Sequence, residues 1–523
     1  MDKLGSPEFR SQAQLIASLL EQQAYPHPVA SIDVIETHIS WVILTGEFAY
    51  KVKKAVHLDF LDFSTLGQRE YFCREELRLN QRWAPQLYLE VMPICGSFDR
   101  PSMGGEGVPI EYALKMKQFP QSAQLDNQLA AGLLRENDLY RLAETVAGYH
   151  RSAKTIEYAN DRESVGKVRA PMLDNFAPLK QTIDMDVLVR VQAWTTDNLV
   201  ELKPALIERR KNGFVRECHG DLHLSNLVRL EEGIVAFDCV EFSAELRNID
   251  VVSDIAFLVM DLVGGARQDL AYVFLNRYLE CTGDYPGMTV FGLYFVYHSM
   301  IRAKVAAIRS AERLDDDERQ TDIEKLKHNL AVAARWIDSP KPILLAMHGY
   351  SGSGKTWLSS QLLSQLPAIR VRSDIERKRL FGLDELASSG SKPGEGIYTD
   401  TSNASVYESL MKTAGQLLDA GFNVIVDASF LRYGERQLLQ DMADHRGVSY
   451  AFVAVSASRE ELDKRLEERS MRDRNVSEAG AEVLNHQYEN ADPLTAAEHK
   501  QTVFVATDKA VDLRNVLRQI KRA

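Results

Sequence analysis

The sequence predicts two domains of different class: an α+β domain followed by an α/β domain built on a parallel sheet. Three observations carry this reading. Near the middle runs His219-Gly220-Asp221-Leu222-His223-Leu224-Ser225-Asn226, and an apolar strand, Ile234–Phe237, then reaches Asp238. Far downstream the strand-like run Pro342–Met347 opens into Gly349-Tyr350-Ser351-Gly352-Ser353-Gly354-Lys355-Thr356. Between them, Trp336-Ile337-Asp338-Ser339-Pro340-Lys341-Pro342 ends a long helical region, because proline disfavours helical geometry before it. The chain therefore divides into residues 11–338, a linker at 339–342 and a second domain at 343–523. Met1–Arg10, containing Gly-Ser-Pro-Glu-Phe, reads as a cloning scar and is left out of the fold.

Composition supports this division. A chain of 523 residues is too long for one hydrophobic core, and 45% apolar with 26% charged residues is usual for a soluble globular protein. Five cysteines lie scattered without paired spacing, which points to reduced thiols and away from a zinc site. No apolar run is long enough to span a bilayer and no signal peptide is visible, so a cytoplasmic protein is expected, with no membrane partner. A net charge of −12 disfavours nucleic acid as a partner while leaving room for a local basic channel. Oligomeric state is not legible.

In the first domain, strands at Trp41–Leu44 and Phe48–Val52 flank a Gly46-Glu47 turn. Alternation puts Ala49, Lys51 and Lys53 on one face, so either lysine can meet nucleotide phosphates. The next helix, Gln68–Trp83, carries Glu75 and Glu76, either able to pair with that lysine; Glu76 is the candidate for the nucleotide site. Helical patterns dominate from about Asp126 to Trp336, with Leu139–His150 and Val251–Leu262 the clearest. The central motif carries the chemistry. A base beside a substrate hydroxyl must be a carboxylate on a rigid loop, which suits Asp221. Asn226 offers a neutral oxygen to a magnesium ion, and Asp238 an anionic oxygen bridging metal to phosphates. The charged run Arg313–Arg319 reads as a solvated turn.

His219-Gly220-Asp221-Leu222-His223 with Asn226, followed by Phe237-Asp238, resembles the aminoglycoside phosphotransferase and choline-kinase-like family. The resemblance spans roughly residues 30–330. It implies a protein-kinase-like fold, phosphorylation of small-molecule hydroxyls, Asp221 as base, Asn226 and Asp238 as magnesium ligands, and Lys51 as the phosphate lysine. It also makes Tyr112–Lys117, including Met116, the strand and hinge beside adenine. Two departures stand out. There is no obvious glycine-rich loop over the phosphates, and Leu224 and Ser225 stand where the family often has proline and glycine.

The second domain opens with a Walker A pattern that arises by chance on the order of once in fifty chains of this length. Here an apolar strand precedes it and a helical stretch, Trp357–Leu366, follows. Backbone N–H groups of Gly349, Ser351, Gly352, Ser353 and Gly354 can cradle phosphates; Lys355 can neutralise them and Thr356 can offer its hydroxyl to magnesium. After Ile369–Val371 comes Arg372-Ser373-Asp374-Ile375-Glu376-Arg377. There Asp374 can accept a hydroxyl proton and Arg377 can clamp the acceptor. Asp427 ends the buried strand Val424–Val426, the usual place of a metal carboxylate. Ser388–Gly396 reads as a Gly/Ser-rich mobile loop. Lys464, Arg465, Arg469, Arg472 and Arg474 form a cationic cluster, from which Arg465 and Arg469 are candidates to close over the transferring phosphoryl group. Further strands are expected at Tyr450–Val455 and Thr502–Ala506.

Residues 342–523 resemble the P-loop kinases that include gluconate kinase, chloramphenicol phosphotransferase, zeta toxins and the kinase half of polynucleotide kinase. Lys355, Thr356, Asp374 and Arg377 carry the likeness. It implies ATP-dependent transfer of the γ-phosphoryl group to a hydroxyl. The whole is similar to bacterial fusions of a phosphotransferase with an ATP-binding domain. The leading expectation is a bifunctional kinase using ATP and magnesium on small-molecule hydroxyl acceptors. The alternatives are one active kinase regulated by the other module, or a nucleic-acid 5′-OH kinase in the P-loop half.

Overall fold

Alternating apolar positions before residue 120 become strands paired edge to edge. The computed structural model describes residues 7–58, 61–181, 185–391, 395–470 and 480–521. These fall into two compact units that interleave along the chain. The first comprises Met1–Asp138, Gly148–Lys167 and Glu208–Asp261; the second comprises Leu139–Ala147, Val168–Ile207 and Leu262–Ala523. The linear cut at 339–342 marks a change of secondary structure, whereas spatial packing joins the helices after residue 262 to the downstream α/β sheet.

The first unit holds β1 (Asp33–Glu36), β2 (Ser40–Leu44), β3 (Phe48–Lys53), β4 (His57–Leu58), β5 (Leu61–Asp62), β6 (Tyr88–Ser97), β7 (Arg100–Met103) and β8 (Glu111–Lys117). Six of them form an antiparallel sheet in the order β1-β2-β3-β8-β6-β7. The helix Leu66–Asn80 starts at a capping box between Thr65 and Gln68 and packs on β6 and β8. Helix Pro7–Ser18 begins inside the segment set aside as a cloning scar. Its Gln12 is 2% exposed, donates to the Lys53 carbonyl and to Glu111, and accepts from Ala55 N–H, so this helix is part of the fold. Met1–Ser6 lie outside the described residues. Beyond the sheet, β9 (Val215–Glu217) pairs with β12 (Asn248–Asp250), and β10 (Leu227–Leu230) forms a hairpin with β11 (Gly233–Ala236). The loop between β9 and β10 carries the His219–Asn226 motif.

In the second unit, β13 (Ile343–His348), β14 (Ala368–Arg372), β15 (Asn423–Asp427), β16 (Ser449–Ser456) and β17 (Thr502–Ala506) form a fully parallel sheet ordered β14-β15-β13-β16-β17. The strands read as near-continuous apolar runs because helices cover both faces of a parallel sheet. A helical part of this unit contains Gln268–Thr282, Met288–Glu312 and Asp316–Ile337. Phe291, Trp336 and Phe422 meet with ring centroids 5.6–5.7 Å apart, locking two of those helices to the residue before β15. The run Arg313–Arg319 is exposed, as expected, but from Asp316 it is the first turn of a helix. Asp315 caps it by accepting from Glu318 N–H, and Asp316 and Asp317 suit its positive N-terminal end. No helix among the described residues is long and apolar enough to cross a membrane.

One buried ion pair ties the sheet's C-terminal edge together. Arg436 is fully buried; its Nε donates to Glu498 at 2.7 Å, and its other nitrogens reach the Leu431 and Pro493 carbonyls. Arg436→Met leaves Glu498 buried and unpaired, so chemical denaturation of the second unit is expected to show a loss of about 3–5 kcal/mol.

Candidate functional site

The first unit gathers its charged residues around β3. Lys51 Nζ donates to Glu76 Oε1 at 2.8 Å and to Asp238 Oδ1 at 2.5 Å. Lys53 Nζ donates to Glu76 Oε2 at 2.7 Å and also to Glu241. Both lysines thus share the buried Glu76, while Glu75 turns to Arg78 and Arg247. Burial opposes the charge on Lys51, but Asp238, Glu76 and Glu241 outweigh it and hold the ammonium well above its usual pKa. Burial also opposes charge on Glu76, and the two lysines overcome it, keeping that carboxyl below the ordinary range. Glu241 moves the other way, pushed up by its burial.

The central loop is held by a carboxylate that the motif does not contain. Asp254, at the start of helix Val251–Gly264, accepts from His219 N–H at 3.0 Å and Gly220 N–H at 2.9 Å, and lies 3.1 Å from His150 Nε2. Gly220 is required there: its φ is +85°, and a Cβ would stand 2.8 Å from the Leu246 carbonyl oxygen. His150, Cys218 and Asp254 also offer three ligand atoms within 4.8 Å of one another. The Asp254 oxygens already accept from this loop, so the group reads as a brace. His219 is buried, which lowers its pKa and keeps it neutral. Its Nδ1 accepts from Asp221 N–H at 3.3 Å, so Nε2 carries the proton and donates to the Phe237 carbonyl at 3.0 Å. One imidazole therefore ties the loop bearing Asp221 to the strand end bearing Asp238.

Asn226 Nδ2 donates to the backbone oxygen of Asp221 at 3.0 Å and to its Oδ2 at 2.9 Å, which leaves Asn226 Oδ1 as the atom offered to a cation. Asp238 has φ +62°, a sparsely populated geometry for a residue with a side chain. Its N–H is held by the Tyr88 hydroxyl at 2.9 Å, and the next N–H, of Cys239, by Asn80 Oδ1 at 2.9 Å. The Asp221 and Asp238 side chains keep 39% and 43% of their surface exposed, so both carboxylates are accessible. A nearby apolar cluster joins Ala49, Leu114, Met116 and Val228 with Phe119 and Phe237. The arrangement puts a cation, a metal-type oxygen pair and an accessible carboxylate in one neighbourhood.

In the second unit the phosphate loop joins β13 to helix Lys355–Leu363. Gly349 has φ +141°, and a Cβ there would lie 2.3 Å from the Val455 oxygen, so the loop can only turn this close to β16 without one. Lys355 Nζ donates to the carbonyls of Gly349 and Tyr350 at 2.8 and 2.9 Å. A cavity of about 560 Å³ is lined by Ser351, Gly352, Gly354, Lys355 and Thr356 together with Asp374, Arg377, Asp427 and Arg465. Gly349 and Ser353 shape the loop from behind. Asp374 heads helix Ser373–Leu380. One turn on, Arg377 donates to the Ile397 carbonyl at 2.7 Å and sits 5.0 Å above the Tyr398 ring, so its guanidinium is already anchored on one side. Arg465 braces Gly352 and Thr507, donating to the Thr507 hydroxyl and carbonyl at 2.9 Å each. The Arg469 side chain lies outside the described residues, as do Arg472, Arg474 and residues 392–394 of the Ser388–Gly396 loop.

Several residues at these sites carry no signal in the sequence. Tyr88 and Asp254 sit far from any motif. In the second unit, Gln487 Oε1 accepts from Ser351 N–H at 2.8 Å, and Tyr407 bonds Ser429 at 3.1 Å beside Glu435, whose pKa burial raises. Nothing in local periodicity picks out a lone glutamine or tyrosine on a helix. Thr507 alone had a positional cue, following directly on the last strand.

Residues 344–494 match the AAA domain family. Among solved structures, choline kinase from Cryptosporidium parvum Iowa II is similar at 10% identity and TM-score 0.39, covering 62% of this chain and 96% of that one. A gluconokinase from Sinorhizobium meliloti 1021 is similar at 20% identity and TM-score 0.24, covering 34% of this chain and 90% of that one. The uncharacterized proteins Rv2004c of Mycobacterium tuberculosis and Mb2027c of Mycobacterium bovis are each 30% identical over 411 residues, 77% of this chain and 80% of theirs. By that extent of shared sequence, running through both units, the chain belongs to the family of these mycobacterial proteins.

Proposed function

We propose that this chain is a bifunctional ATP-dependent phosphotransferase of the cytoplasm, acting on small-molecule hydroxyl groups with one kinase site in each unit. The observation that carries the reading is the doubling of one chemical set. Each unit has an accessible carboxylate, a lysine suited to phosphate, and a pair of oxygen ligands suited to a hard cation. Residues 11–338 supply the first set and residues 343–523 the second.

In the first site Lys51, fixed by Glu76, meets the nucleotide phosphates, and Ala49, Met116 and Val228 flank the base. Asp221 takes the proton of the acceptor hydroxyl as its oxygen bonds the γ-phosphorus; the bond to the β,γ-bridging oxygen breaks and ADP leaves. In the second site Asp374 is the corresponding base, the N–H groups of residues 349–354 and Lys355 hold the phosphates, and Arg377 orients the acceptor. Arg465 fixes the loop beneath them, with Arg469 on the same helix a second candidate cation. Asn226 and Asp238 in the first site, and Thr356 and Asp427 in the second, would hold magnesium, which would supply neutralisation of phosphate charge. Most of the rate comes from positioning and from charges placed before the reaction.

Phosphate transfer from γ-labelled ATP into a bacterial metabolite extract, read by mass spectrometry, tests the reading. Asp221→Asn and Asp374→Asn are each expected to lower formation of a different product by about 10²–10⁴-fold. Loss of one product followed by accumulation of its precursor would mean that the sites act in sequence. If only one substitution matters, one unit regulates the other. Salt-dependent binding of single strands would move the second site to nucleic-acid ends. Gly349→Ala should abolish the product of the second site alone, checked in the same assay. Chelation of divalent cations should stop both products, and added magnesium should restore them.

A further inference from the structure

Helix Gln268–Thr282 lies in the stretch that the sequence assigns to the first kinase domain, yet it packs on β14 of the parallel sheet within the second unit. β14 is an edge strand, and one side chain caps that edge. Asn276 Nδ2 donates to the Ala368 carbonyl at 2.9 Å, and its Oδ1 accepts from Arg370 N–H at 2.6 Å, as a neighbouring strand would. One turn further on, Glu280 holds Arg370 NH2 at 3.0 Å. Both groups are almost wholly buried, with side chains 2% and 9% exposed.

The other end of Arg370 points to a use for this pair. Its NH1 donates to Ser360 Oγ at 2.6 Å and Ser359 Oγ at 3.2 Å. A hydroxyl that accepts from a cation turns its own proton away. Ser360 accordingly donates to the Thr356 carbonyl at 2.8 Å, and the Ser359 hydroxyl lies 3.2 Å from Asp427 Oδ2 and 3.1 Å from the Thr356 carbonyl. Thr356 and Asp427 are the two residues that the second site offers to a divalent cation. A desolvated ion pair is a poor way to gain stability, since apolar residues of equal volume serve as well. It is a good way to aim two hydroxyl groups.

We infer that Glu280 and Arg370 are positioning residues of the P-loop site, through which helix Gln268–Thr282 orients the cation ligand Asp427 by way of Ser359 and steadies the Thr356 backbone by way of Ser359 and Ser360. The inference rests on the reading of Asp427 and Thr356 as cation ligands. It makes a helix that precedes the P-loop by about 70 residues part of the P-loop site. Outer partners of metal ligands commonly govern cation affinity by about 10–100-fold when removed.

The test measures binding of a fluorescent ATP analogue to the full chain as a function of magnesium concentration, in a Lys51→Ala background that silences the first site. Glu280→Gln and Arg370→Met are expected to raise the half-saturating magnesium concentration about tenfold. Affinity for the metal-free nucleotide should stay within about twofold, because the phosphate loop is untouched. Ser359→Ala, which removes one hydroxyl and strands no charge, should give the same direction of shift with an unchanged melting temperature. Unchanged magnesium dependence in Ser359→Ala and Glu280→Gln would overturn the inference, as would an equal loss of affinity with and without magnesium. Asp427→Asn separates the two levels. If it too leaves the magnesium dependence unchanged, the reading of the cation site fails; if it alone shifts the dependence, only the role of Glu280 and Arg370 fails.

Discussion

A buried charge must be met by an opposite charge or by hydrogen bonds, and both units are organised around that constraint. In the first, the ammonium groups of Lys51 and Lys53 and the carboxylates of Glu76, Glu241 and Asp238 lock β3, helix Leu66–Asn80 and the segment after β11 into one geometry. None of these elements could slide by a residue without stranding an ion. The same is true of Asp254, whose carboxylate fixes two successive N–H groups of the loop bearing Asp221. Precision at the accessible carboxylates thus comes from charge satisfied behind them.

The second unit applies the constraint differently. The inner strands of its parallel sheet are apolar along their middles, so the charged residues gather at strand ends and on the edge strand β14. Arg370 and Arg372 lie on β14 and meet Glu280, while Arg277 from the same helix as Glu280 reaches Glu144 and Glu385. This network is why the helices after residue 262 group with the sheet. Covalent order assigns them to one domain, and packing assigns them to the other.

Much of the architecture was legible. The strands beginning at Ile343, Asn423 and Thr502 lie where apolar runs between helical stretches put them, because a doubly covered sheet leaves no polar face to blur the pattern. The Gly349–Thr356 loop and the His219–Asn226 motif were equally plain, since their chemistry depends on neighbours in sequence. Helix Pro7–Ser18 was missed in part because its first residues resemble an added leader; what fixes it is Gln12, bonded across the fold to Lys53 and Glu111. The helical start at Asp316 was hidden in a run of charges that reads equally well as a turn.

The sequence by itself determined the two classes of unit, the phosphate loop, and the residue types available for proton transfer and cation binding. All of these are local, set by spacing along a strand, a turn or a helix. Only the tertiary structure decided that Glu76 rather than Glu75 meets the lysines, that Lys51 and Lys53 share it, and that Asp254 holds the central loop. It also decided that Asn276 and Glu280 belong against the edge strand β14. Each of these contacts joins residues between 23 and about 100 positions apart, and no periodicity in a single chain records which distant side chain will arrive opposite a buried charge.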